Sequence, residues 1–184
     1  MWELFKQFLA LLPSLWRYRQ RPRLHLYFNA ADTYHRRSVI DAGGAEGYFC
    51  HVMVRNCGPT TARNCRGELM EVLHRNADGS TSPAPGFVAS VPLKWAHESD
   101  FGPRDIEHEH PRRLDLCFAL VTSPQMLRFF APPTPSGVQK IFPPGVYTVA
   151  VRVTADNAEP ARGVFRVDFT HGWDGIVLAE AAST

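Results

Sequence analysis

Between residues 145 and 155 the chain reads GVYTVAVRVTA. Tyr147, Val149, Val151 and Val153 alternate there with Val146, Thr148, Ala150, Arg152 and Thr154, so one side is almost wholly apolar. Successive side chains of a β-strand point to opposite faces, and a period of two therefore marks a strand that buries one face. The stretch YFCHVMVRN (48–56) repeats the pattern, with Tyr48, Cys50, Val52 and Val54 opposite Phe49, His51, Met53 and Arg55. RLHLYF (23–28), ARNCRGELMEVLH (62–74), FVASVPLKW (87–95), RRLDLCFALVT (112–122) and GVFRVDFTHGW (163–173) continue the series. Turns separate these runs and no strong helical pattern lies among them, which predicts two antiparallel sheets packed face to face. A closed barrel fits less well, because long and uneven connections suit Greek-key crossings.

Composition agrees. A chain of 184 residues suits one domain with a sizeable core, and 45% apolar with 21% charged residues is close to the globular average. Its 15 prolines and 13 glycines fall between short apolar runs, as in a many-turned β protein. HRNADGSTSPAPG (74–86) reads as a loop by its Gly, Pro, Ser and Asn content. The expected organisation is an N-terminal segment over 1–22, a sandwich over 23–178 and a frayed tail over 179–184.

The N-terminus departs from this pattern. In MWELFKQFLALLPSLW, Trp2, Phe5, Phe8, Leu9, Leu12, Leu15 and Trp16 recur every three or four positions, which predicts one apolar face of an amphipathic helix. Pro13 should end or kink it near Leu12. The stretch is shorter than the roughly 20 residues needed to cross a bilayer. Glu3, with no basic cluster before it, argues against a cleaved secretory signal. Arg17, Arg19, Arg21 and Arg23 follow, and an apolar helix ahead of a basic cluster has the form of an interfacial anchor on an anionic surface. The same stripe would serve equally to pack on the chain's own domain or on a partner chain.

VRNCGPTTARNCRGEL (54–69) resembles the V-x-N-x-G-x-x-x-A turn between the second and third strands of bacterial immunoglobulin-like domains of the CARDB or fibronectin-like kind. PPGVYTVAVRVTADNAEP (143–160) is similar to their late G-x-Y-x-V-x-V strand with its trailing Asn. The chain as a whole resembles small bacterial proteins of unknown function in which a short apolar segment precedes one such sandwich. The likeness spans Arg23 to Phe169, and because its motifs are structural it implies a fold and no activity. Two features depart from it: no secretory signal is evident, and the loops over 95–111 and 124–144 are longer than usual. The expected fold is thus all-β, an immunoglobulin-like antiparallel β-sandwich with an N-terminal amphipathic helix.

Cys50, Cys57 and Cys65 lie seven and eight positions apart, without the close pairs that structural zinc sites use. Cys50 and Cys117 suit a bridge between opposite sheets, although reduced core thiols fit a chain without a secretory signal better. Asn56 and Asn64 read as turn residues whose amides bond nearby backbone. His97, His108 and His110, among acids and arginines over 97–113, are candidate metal ligands, because His108 and His110 project to one side of an extended segment. A solvated edge with Arg104, Arg112 and Arg113 balancing the acids explains the same residues, and Trp95 reads as a core plug behind them. No G-x-S-x-G, P-loop or G-x-G-x-x-G motif occurs, and Cys50 and His51, adjacent on a strand, point to opposite faces. Trp16, Tyr18 and Tyr34 with Arg36, Arg37, Arg63 and Arg66 would make a stacking and basic stripe, but a net charge of +2 argues against a nucleic-acid partner.

The function expected from this reading is a non-enzymatic interaction or scaffold module without a cofactor. It would dock through Trp2, Phe5, Phe8, Leu9, Leu12, Leu15, Trp16, Arg17, Arg19 and Arg21 to a membrane surface or a larger assembly. A protein partner or second copy would meet that helix or an edge strand. The location expected is cytoplasmic, at the inner face of a membrane if the helix meets lipid. The alternative is a metal-binding protein or metal-dependent enzyme using the His97 to His110 loop.

Overall fold

The computed structural model describes residues 20–31, 37–40, 46–132 and 138–181, with the backbone alone for 37–40. The first sheet holds β1 (Leu24–Tyr27), β3 (Glu46–Asn56), β8 (Arg112–Leu120), β9 (Leu127–Phe129) and β10 (Ile141–Phe142) in that order, and β2 (Arg37–Ile40) also pairs with β3. The second runs β13 (Val177–Glu180), β12 (Ala158–Phe169), β11 (Gly145–Ala155), β4 (Ala62–Arg75) and β5 (Thr81–Pro83), with β6 (Val91–Leu93) and β7 (Arg104–Ile106) also on β4. Every pair within the two sheets is antiparallel. The chain changes sheet between β3 and β4, between β7 and β8, and between β10 and β11, so consecutive strands face each other across the core.

Alternation explains the packing. On β11, Tyr147, Val149, Val151 and Val153 are buried while their neighbours are half-buried. They meet Leu69 and Val72 of β4, Phe165, Val167 and Phe169 of β12, and, from the first sheet, Cys50, Val52, Val54, Leu114 and Leu116 in one core. Tyr147 donates its hydroxyl hydrogen to Pro143 O at 2.6 Å, a few residues upstream, like the tyrosine corner at the start of a late strand in immunoglobulin-like sandwiches. The architecture is an all-β antiparallel two-sheet sandwich and is compatible with an immunoglobulin-like fold.

The expected fold class needs correction. No helix occurs among the described residues, which form two antiparallel sheets, and the amphipathic helix expected at the N-terminus falls within residues 1–19, outside them. Accordingly, no helix among the described residues is long and apolar enough to cross a membrane. The strand expected over 87–95 shrinks to Val91–Leu93, with Val88 78% exposed. The loop expected over 74–86 contains β5, which folds back on β4 through the turn at Asn76–Ser80. β12 begins at Ala158 instead of Gly163, and β13 includes Ala179 and Glu180, the first residues of the expected tail.

Cysteines 50 and 117 lie directly opposite each other on neighbouring strands of one sheet, not across the sandwich, and all four cysteines are free thiols. Burial, helped by the charge of Asp105, pushes the Cys65 thiol up to about 12. The bond with Cys50, then burial, also raises Cys117. Burial takes the Tyr147 hydroxyl to about 12. In each case the folded state holds the neutral acid. As pH rises past the ordinary thiol value of 9.0, the unfolded chain releases protons that folded Cys65 keeps. Stability should therefore be full below that value and fall above it, at about 1.4 kcal/mol per pH unit for each buried thiol, with Tyr147 adding to the fall only above its ordinary value of 10.0. Thermal melts across this range test this: a melting temperature unchanged on the alkaline side would contradict it.

Candidate functional site at the root of the N-terminal segment

Residues 57–61, the turn from β3 to β4, carry the point from which the N-terminal segment departs. Asn56, the last residue of β3, is 0% exposed. Its Oδ1 accepts hydrogen bonds from the Arg23 and Gly58 amides, both at 3.0 Å, and its Nδ2 donates to Thr60 O at 2.7 Å and Ile106 O at 3.1 Å. The Cys57 amide donates to Arg23 O at 2.8 Å, and Thr60 Oγ1 donates to Gln20 O at 2.6 Å. Gly58 is required by close approach: a Cβ there would lie 2.3 Å from Arg21 O and 2.6 Å from Arg23 N, backbone atoms that cannot move aside cheaply. The chain from Gln20 to Arg23 is thus clamped on the turn. Asn56 works as a strand-end keystone, and Asn64, at φ 52°, takes the left-handed conformation its side chain tolerates.

A cleft of 730 Å³ opens at this root, lined by Arg21, Pro22, Arg23, Leu24, Cys57, Pro59, His108, Glu159 and Pro160. Arg21 and His108 are the expected site residues that it contains. Proline and leucine supply its apolar wall, and two arginines and a carboxylate its polar rim. His108 donates its Nδ1 hydrogen to Gly58 O at 2.8 Å, so the imidazole braces the turn. The arrangement holds the chain from Gln20 to Arg23 against the turn.

The expected metal ligands are not gathered. Among the described residues no group of three or more His, Cys, Asp or Glu side chains could hold a metal ion. His108 faces the cleft, whereas His110 lies 3.2 Å from Glu107 in an exposed pair. His97 and Glu109 have φ of 67° and 59°, and these left-handed turns break the extended run that would have aligned the histidines. The acids find arginines instead: Arg104 lies 2.9 Å from Glu98 and 3.0 Å from Asp100, and Arg112 lies 3.6 Å from Glu98. The bond from Arg104 holds the Glu98 carboxyl below its ordinary range, and the Gly102 amide does the same for Asp100. Trp95, 1% exposed, is the core plug expected of it. Of the remaining expected docking residues, Trp2, Phe5, Phe8, Leu9, Leu12, Leu15, Trp16, Arg17 and Arg19 lie outside the described residues.

A second surface lies outside the expected site residues. On the outer face of the first sheet, strand register aligns Phe49 of β3, Phe118 of β8, Arg128 of β9 and Ile141 of β10 in one transverse row. Phe49 and Phe118 stack at 5.3 Å with planes 7° apart, and Phe130 packs 4.6 Å from Phe118. A cleft of 390 Å³ beside them is lined by Phe101, Phe118, Phe130 and Ile141 with Lys94, Arg128 and Lys140. Beneath it, buried Asp115 lies 2.8 Å from His51 Nδ1 and 3.7 Å from Lys94 Nζ. The His51 nitrogen is at ion-pair distance but not aligned for a hydrogen bond. The available sequence signal was Phe49, a large aromatic on the polar side of an alternating strand.

Comparisons with protein-family models, with curated proteins and with solved structures find no match for the chain.

Proposed function

We propose that the protein is a non-enzymatic interaction module, a bacterial immunoglobulin-like sandwich of the CARDB or fibronectin-like kind. In this reading the apolar N-terminal segment docks it to a membrane surface or a larger protein assembly, on the cytoplasmic side. The clamp on Gln20–Arg23 carries the reading, because a segment held at its root presents the sandwich in one orientation to whatever it meets. Arg17 and Arg19 precede that root in sequence and Arg21 lies within it, and each basic residue near an anionic surface adds about 1 kcal/mol. Edge-strand pairing with a partner is the weaker route: the strands at the ends of the two sheets, β1, β10, β5 and β13, are 4, 2, 3 and 4 residues long, and short edges give few backbone bonds.

The test uses the full chain with Phe5→Glu and Phe8→Glu together. The unaltered protein should sediment with vesicles containing anionic lipid, and the double variant should bind roughly tenfold or more weakly, two charged side chains being costly to bury. If the unaltered protein ignores vesicles but enters a larger complex in its native cell that the variant leaves, the segment docks on protein. A variant that matches the unaltered chain in both assays would refute the docking role.

A further inference from the structure

We propose that the cleft on the outer face of the first sheet binds a small organic carboxylate with an aromatic or short acyl body. Phe101, Phe118 and Phe130 would cover the body and Arg128 would take the carboxylate. Its volume of 390 Å³ lies at the small end of ligand sites, enough for one ring on a short arm and too little for a nucleotide. The walls are aromatic, and rings offer a flat apolar body stacked or edge-on contacts.

The charge is one-sided. Lys94, Arg128 and Lys140 line the cleft, and no carboxylate lines it among the described residues. Lys94 is shared between Asp115, 3.7 Å away, and the face of Phe130, whose centroid is at 5.5 Å. Lys140 donates to the Pro132 carbonyl. Arg128 is the least satisfied of the three: its Nη2 makes one long bond to Ser123 Oγ at 3.3 Å, and its buried Nε has no partner. Turning the Nε–Nη edge into the cleft therefore breaks little. It would gain the paired hydrogen bonds that a guanidinium makes to a carboxylate in one plane. A phosphate would need a richer set of donors than Arg128 and two partly engaged lysines, and the phenylalanines would give it nothing.

The test is a titration of the full chain with phenylacetate, with phenylacetamide as the uncharged isostere and inorganic phosphate as charge without a ring. Phenylacetate should bind with roughly millimolar affinity, as expected for a ligand of that size. The amide and phosphate should each bind about tenfold more weakly, the scale of one charge-assisted pair or one buried ring. R128Q should lose about the same factor, and R128K, which keeps the charge without the planar fork, a smaller one. Should R128Q fail to fold, R128K carries the comparison. R162Q, on β12 of the other sheet, should bind as the unaltered chain does. Absence of phenylacetate binding, equal binding of the amide, or full binding by the folded Arg128 variants would overturn the proposal.

Discussion

Replacing Asn56 with alanine is expected to destabilise the protein by about 3–4 kcal/mol, because the change orphans two backbone N–H groups and two carbonyls. A buried group left without its partner costs roughly 1–3 kcal/mol, and those nearer the surface recover part of that from water. The loss is large beside a typical total of about 5–15 kcal/mol. It should lower the melting temperature by roughly 10 °C for a domain of this size. Asn56→Asp is the sharper companion. It keeps the shape and both acceptor bonds, but a carboxylate cannot donate to Thr60 O and Ile106 O and sets negative charge against them. At neutral pH its loss should equal or exceed that of alanine. Urea or thermal melts of the two variants decide the matter. A cost below about 1 kcal/mol for both would mean that water replaces the amide and that the clamp on Gln20–Arg23 is not built on Asn56.

How much of this was legible in the sequence depends on the reach of each signal. β11 could be read from Gly145–Ala155 alone, since a long alternating strand declares its buried side locally. β5, β7 and β9 could not. Each has three residues and is a strand because a longer neighbour, β4 or β8, offers it unpaired backbone groups. Cys50 and Cys117 show a related blind spot: alternation along each strand leaves open which strands pair, and only the pairing, with the register shift beside it, tells that β3 and β8 share a sheet and that Cys117 is buried next to Leu116. The histidines failed in the opposite way. Nearness along the chain suggested a cluster, and left-handed residues at 97 and 109 turn the backbone so that it does not form. The outer cleft draws on residues from Lys94 to Ile141, which only the register of three strands brings together. Turn chemistry was legible in part: the bonds from the Gly58 amide to Asn56 and from Asn56 to Thr60 are local, whereas the approach of Gly58 to Arg21–Arg23 and the bonds of Asn56 with Arg23 and Ile106 join distant segments.

Trp95→Ala is expected to have a comparably large effect and to reach the outer cleft as well. Trp95 is among the largest side chains wholly enclosed by the core, and emptying such a site costs about 3–5 kcal/mol. Its backbone lies alongside β8 in an isolated bridge to Leu114, flanked by a bond from Asp115 N to Lys94 O at 2.8 Å and one from Ala96 N to Arg113 O at 3.0 Å. The indole thus holds Lys94 against β8, and Lys94 in turn sits over Phe130 and beside Asp115. With the ring gone, this strip should loosen while β3, β4, β11 and β12 keep their pairing. Hydrogen exchange should then rise at the amides of Ala96 and Asp115 well beyond the increase at Val149 and Val151. Trp95→Phe, which refills most of the space, should restore most of the stability and the local protection. If exchange instead rises evenly through both sheets, the tryptophan supports the whole core and has no particular hold on Lys94. If the alanine variant melts within about 1 kcal/mol of the unaltered chain, the surrounding side chains close over the gap and the plug is dispensable.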